Sequence, residues 1–222
     1  MVNRSGFSAA LAVLCTSLAL IVLVGCGGTK EFKGTVLTSG DHAPAFELTN
    51  QFGNQIRLGD YQGDPVLLTF LYTNCPDVCP ITASQLRQTL DSLGDDGERV
   101  RVAALSLDPE RDTIDAAADF SDRWEMTEDW DFLIGDREVL EPLWGAYYLD
   151  PVVVEQSGSD GSEQANGSSG GLGALRKSFS DRYLVIHSNP VYLIDRAGIM
   201  RVVFTSPLDP EEIAHDVRLL LK

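Results

Sequence analysis

Cys75 and Cys79 lie in the run Tyr72-Thr73-Asn74-Cys75-Pro76-Asp77-Val78-Cys79-Pro80, directly after the apolar stretch Pro65-Val66-Leu67-Leu68-Thr69-Phe70-Leu71. Two thiols this close, at a junction between strand and helix, can cycle between dithiol and disulfide, hold a soft metal ion, or do both. A purely structural disulfide would contribute little here. It would close a loop with three residues between its ends, which removes little entropy from the unfolded chain. Soft thiolates joined by one imidazole suit Cu(I) first and Zn(II) second. The sequence has three histidines. His42 lies in an early turn, and His215 sits beside Asp216 in a C-terminal helix and reads as a surface residue. His187 ends the strand pattern Tyr183-Leu184-Val185-Ile186 and opens the loop to Val191.

Both cysteines precede proline, which disfavours helical geometry at the residue before it. The helix is therefore expected to start at Pro80, with Cys79 as N-cap and Cys75 just outside. The free N–H groups and partial positive charge of a helix N-terminus favour thiolate, so both sulfurs are expected to be more acidic than a free cysteine. The pair also falls at the C-terminal end of a buried strand, where open α/β sheets place their sites.

The elements that must carry these residues follow from periodicity. Val66 to Tyr72 and Val100 to Leu107 are continuous apolar runs, as expected of central strands covered on both faces. Helical spacing marks Thr82 to Leu93, Thr113 to Trp124 and Glu138 to Tyr147, with a strand at Trp130 to Ile134. Tyr183 to Ile186 and Val191 to Ile194 resume the strand pattern. Arg196-Ala197-Gly198 turns the chain into Ile199 to Thr205. Pro210 to Leu221 closes as a helix, with Asp209 as N-cap and Pro210 in the first turn. Residues 156–173 are rich in Ser and Gly without periodicity and read as a flexible insertion. The sum is an α/β sandwich: a central mixed β-sheet flanked by helices.

The first 25 residues stand apart. Arg4 supplies a basic start, Ala9 to Val24 is apolar, and Leu23-Val24-Gly25-Cys26 resembles the cleavage signal of bacterial lipoproteins. On this reading residues 1–25 are a signal peptide and Cys26 is the lipidation site. Residues 26–40 are then a lipidated tether and 41–222 the functional domain. The apolar run is short for a membrane-spanning helix. Such an anchor places the domain on the extracytoplasmic side of the cell membrane, facing the periplasm or exterior, where a thiol pair can be oxidised. The formal net charge is −16, and loss of Arg4 with the leader would take it to −17. Nucleic acid is thereby excluded as a partner.

The cysteine run, the segment Ser106-Leu107-Asp108-Pro109-Glu110-Arg111-Asp112-Thr113, and Tyr183-Leu184-Val185-Ile186-His187-Ser188 ahead of Tyr192-Leu193-Ile194-Asp195 together resemble the Sco/SenC family. The resemblance runs from about His42 to Lys222. It implies a thioredoxin-like (redoxin) fold and a membrane-anchored copper metallochaperone, with Cys75, Cys79 and His187 as ligands to Cu(I) and, in another geometry, Cu(II). The acceptor it implies is the copper A centre of cytochrome c oxidase subunit II, with other copper chaperones or thiol reductants as further partners. Ile186 stands where many relatives carry aspartate, which deprives the imidazole of an orienting neighbour. The alternative activity is thiol–disulfide oxidoreduction by Cys75 and Cys79 on the acceptor's cysteines. A peroxiredoxin-like peroxidase is disfavoured, because position 72 is Tyr and position 76 is Pro where the active-site threonine is required.

Overall fold

The computed structural model describes residues 31–155, 183–186 and 189–222. The stretch read as a signal peptide, Cys26, the Ser/Gly-rich stretch 156–173 and His187 lie outside the described residues. Phe32–Lys222 folds as one unit.

Its frame is a six-stranded mixed sheet in the order β1-β10-β9-β4-β5-β6. β4 (Val66–Leu71), β5 (Arg101–Ser106) and β6 (Asp131–Leu133) run parallel. β9 (Val191–Ile194) and β10 (Met200–Phe204) form an antiparallel hairpin against β4. All six residues of β4 are buried, which requires cover on both faces of the sheet. The ring of Tyr147 packs on Phe70 and Tyr192 at 5.3 Å each. Among the described residues are α1 (Val78–Leu93), α2 (Ile114–Arg123), α3 (Arg137–Ala146) and α4 (Pro210–Leu220). α1 packs against α4 and α2 against β6. Among the described residues no helix is long and apolar enough to cross a membrane.

Local chemistry explains several boundaries. Asp209 caps α4 by accepting from the N–H groups of Glu211 and Glu212, with Pro210 in the first turn. Between β9 and β10, Asp195 Oδ1 accepts from Ala197 N and Ile199 N, and Gly198 takes φ +82°.

Three features depart from the sequence reading. Thr35–Val36, inside the stretch read as tether, pairs with β10 as edge strand β1. Val152–Glu155 is a strand, β7, which the periodicity reading left unassigned. β7 pairs with β8 (Tyr183–Ile186) as a separate two-stranded ribbon outside the main sheet. β2 (Glu47–Thr49) and β3 (Gln55–Arg57) form a second small hairpin.

Candidate metal centre

β4 delivers the chain to Tyr72 at the C-terminal end of the sheet, and the Cys75 N–H closes a turn on the Tyr72 carbonyl at 3.2 Å. α1 begins at Val78, two residues earlier than expected, with Asp77 rather than Cys79 as N-cap. The preference of a pre-proline residue for extended backbone is overridden. Pro80 occupies the third helical position, where an N–H has no intrahelical partner to lose. The Asp77 side chain makes no capping hydrogen bond. Instead Cys75 Sγ accepts from the Cys79 N–H at 3.3 Å, so the sulfur takes the place of a capping oxygen.

This geometry makes the two thiols unequal. Hydrogen bonding from the Cys79 thiol, the Asp77 and Cys79 N–H groups and the Tyr72 hydroxyl lowers Cys75 to about 6, against the effect of burial. Cys79 is fully buried, and burial pushes its thiol up, with the neighbouring Cys75 adding to the rise. The expectation of two acidified sulfurs is corrected to one: Cys75 gathers the N-terminal donors, and Cys79 faces the core.

The segment that contributed only to the resemblance proves to be the floor of this site. Asp112 is buried and accepts from Thr73 N at 2.9 Å, Thr73 Oγ1 at 2.7 Å and Ser106 Oγ at 2.6 Å. Arg111 pairs with Asp108 and lies over the Tyr72 ring at 5.9 Å. Trp144 Nε1 holds the Ser106 carbonyl at 2.9 Å. The cysteine loop is thus clamped from below by the end of β5. Sequence reasoning missed this role. The available signal was a hydroxyl-and-carboxylate segment following a buried parallel strand.

Burial raises Asp112 from 3.8 to about 6. Between roughly pH 4 and 6 the folded chain keeps a proton that the unfolded chain has released. The stabilisation is therefore complete below about 4 and is lost as pH rises through about 6, by roughly 3 kcal/mol. Asp112→Asn should remove this dependence. Urea unfolding from pH 4 to 7 should show wild type losing stability relative to Asp112→Asn as pH rises. A constant difference between the two would contradict the assignment.

The third side of the site is built from the chain flanking position 187. Val185 is buried, and its backbone N–H donates to the Tyr72 hydroxyl. Asn189, also buried, donates through Nδ2 to Thr82 Oγ1 at 3.0 Å, and Thr82 in turn donates to the Val78 carbonyl in the first turn of α1. Thr69 Oγ1 on β4 holds the Pro190 carbonyl at 3.0 Å. Residues on both sides of His187 are therefore tied to the elements carrying the cysteines. His42 bridges to Ile199 at the sheet edge, and His215 Nδ1 lies 2.8 Å from Asp216 Oδ1. Among the described residues no group of three His, Cys, Asp or Glu side chains is arranged to hold a metal. The described donor set is two sulfurs in hydrogen-bond contact, one of them inclined to be thiolate, and it suits a soft cation that gains a third ligand.

Comparisons with known proteins bear on the family and the fold. The family model described as SCO1/SenC matches residues 35–169. Protein SenC of Rhodobacter capsulatus is 30% identical over 229 residues, covering 96% of this chain and 91% of that protein. The solved structure of Bradyrhizobium japonicum ScoI with copper bound superposes with a TM-score of 0.64 at 26% identity, covering 81% of this chain and 99% of that one. BsSco, described as a member of the Sco family of cytochrome c oxidase assembly proteins in which a disulfide switch was identified, shares the fold. It does so at 21% identity and a TM-score of 0.59, covering 83% of this chain and 96% of that one.

Proposed function

Because the chain belongs to the SCO1/SenC family, we propose that it is a membrane-anchored copper metallochaperone acting in cytochrome c oxidase assembly. Its cargo is copper, and its acceptor is the copper A centre of subunit II. The observation that carries this reading is the hydrogen-bonded pair of Cys75 and Cys79 at the start of α1, with the chain on either side of position 187 tied to it. Cys75, Cys79 and His187 would hold Cu(I), the sulfurs supplying soft ligands and the imidazole the third. The α1 N-terminus would favour the net charge of −1 that two thiolates and one Cu(I) leave at such a site. Three ligands leave a coordination position through which an acceptor's ligand could enter before the first one leaves. Lipidation at Cys26, read from the signal sequence alone, would keep the domain at the extracytoplasmic face of the membrane.

The test is Cu(I) titration of the reduced chain against a chromophoric chelator. One equivalent should bind tightly, and His187→Ala should weaken it by about 10-fold or more, at least the effect of losing an outer-shell partner. Full affinity retained in His187→Ala would remove that residue from the site. A reduced wild-type chain that binds no Cu(I) would sink the chaperone reading.

The inequality of the two thiols supports a second activity, thiol–disulfide exchange. Cys75 thiolate attacks one sulfur of an acceptor disulfide and releases the other as thiolate, which takes up a proton. The Cys79 thiol then loses its proton and attacks Cys75 Sγ, freeing the acceptor's second sulfur. The acceptor gains two electrons and leaves as dithiol, and this chain is left as the Cys75–Cys79 disulfide. Both activities address the same partner: one prepares its cysteines and the other fills them.

A further inference from the structure

The first turn of α1 presents apolar side chains outward. Val78 is 39% exposed and Ile81 51% exposed, on the turn that buries Cys79 and places its N-terminus against Cys75. Exposed apolar residues are ordinary when scattered, but these two stand together at the mouth of the site. Val78, Ile81, Gln85 and Gln88 follow one another at i+3 and i+4 intervals, so they form one stripe running away from the cysteines. Beside the stripe lies an open groove of about 430 Å³, lined among others by Pro80, Ile81, Gln85, Gln88, Trp124 and Pro210. None of its lining residues is charged.

That neutrality stands out in a chain of net charge −16. The acids are at the rim. Asp77 precedes the stripe, Asp122 and Glu125 lie on either side of the Arg123-Trp124 pair, and Glu211 and Glu212 follow Pro210, all of them exposed, so that five acids surround the groove against the single exposed base Arg123. An apolar, uncharged floor with an acidic rim is complementary to a segment with apolar side chains at its centre and Lys or Arg on either side. Its position names the partner. A protein that exchanges ligands or sulfurs with Cys75 brings its own ligand to the N-terminal end of α1, whose first turn carries Val78 and Ile81.

We infer that the Val78–Ile81 stripe and the groove beside it are the docking surface for the protein that receives copper, seating an apolar, basic-flanked segment next to that protein's metal-ligand cysteines. This rests on the transfer reading above. Docking there would place the acceptor's ligands beside Cys75. The acidic rim would speed encounter in a salt-dependent way.

The experiment uses the full chain in detergent, wild type and Ile81→Glu, with Val78→Ser/Ile81→Ser as a second variant without added charge. The probe is the copper-free soluble domain of cytochrome c oxidase subunit II, with both association and copper transfer followed. Association and transfer should each fall about 10-fold or more in both variants, the scale expected for a central interface residue. Cu(I) affinity against a chelator should stay within about 2-fold and the melting temperature should be unchanged. Transfer at the wild-type rate in both variants would overturn the docking surface and leave the transfer reading intact. Association lost in the variants, with no copper passed even by wild type, would uphold the surface and sink the transfer reading. A wild-type chain that neither associates nor transfers would overturn the surface, as would self-association of the chain abolished by Ile81→Glu, which would make the occupant a second copy.

Discussion

Replacing Cys75 or Cys79 with alanine is expected to weaken Cu(I) binding by about 100-fold or more, measured by competition with a chelator. The floor on this figure comes from comparison: loss of a mere outer-shell partner already costs 10- to 100-fold, and these are the ligands themselves. The two substitutions should nonetheless behave differently. Cys79→Ala keeps the acidified sulfur, which can still attack an acceptor disulfide but has no buried thiol behind it to resolve the adduct. A mixed disulfide between Cys75 and the acceptor should therefore accumulate and be visible on a non-reducing gel. Cys75→Ala leaves only a thiol that burial holds protonated, and no adduct should form. Equal trapping by both variants would contradict the inequality drawn from the hydrogen bond between the Cys79 N–H and Cys75 Sγ. The stability costs should be modest and distinct. The first variant leaves a small void in the core, and the second removes the acceptor that caps α1, each on the order of 1 kcal/mol.

What the amino-acid sequence disclosed, and what it withheld, divides along physical lines. β4 was legible because an unbroken apolar run has few other uses, and the structure buries every residue of it. The α4 boundary was legible because Asp209 and Pro210 each favour one position at a helix start. The Cys75–Cys79 junction was legible because strand pattern gives way to helix pattern across it. The start of α1 was misread by two residues. A local preference at a pre-proline residue was weighed without the sulfur that caps the helix from four residues upstream. The β7–β8 ribbon was half-seen. Val152 to Glu155 is β-branched enough for a strand, but its partner is more than two dozen residues away across the Ser/Gly-rich stretch. Asp112 was quoted only as part of a motif. Its role arises from contacts with Thr73 and Ser106, and a carboxylate that will be buried looks, in sequence, like one that will be solvated.

Asp216 was hidden in the same way, and its removal is the stability change expected to be largest. It is fully buried on α4. Its two carboxylate oxygens accept from Lys33 N at 2.8 and 2.9 Å and from Gly34 N at 3.0 Å, and His215 Nδ1 lies 2.8 Å away. These bonds fasten the N-terminal segment one residue before β1 joins the sheet. Gly34 reinforces the hold, since a Cβ there would lie 2.4 Å from Val202 Cγ1 and 2.6 Å from the Phe204 ring. Asp216→Ala deprives two partly buried backbone N–H groups of their acceptor and opens a void, a loss of roughly 2–4 kcal/mol. Asp216→Asn keeps one acceptor oxygen and should lose less. Chemical denaturation measures the total. Limited proteolysis across residues 31–40 reports whether the segment itself comes free, and cleavage there should accelerate in Asp216→Ala well below the global transition. Unchanged proteolysis would mean that the carboxylate stabilises α4 alone. The consequence for function follows from chain length. If Cys26 carries the lipid, six residues lie between it and Lys33, and the seven steps can span at most about 25 Å. The Asp216 clamp then sets how far the domain, and with it the cysteine pair at the sheet's C-terminal edge, can stand from the membrane holding its acceptor.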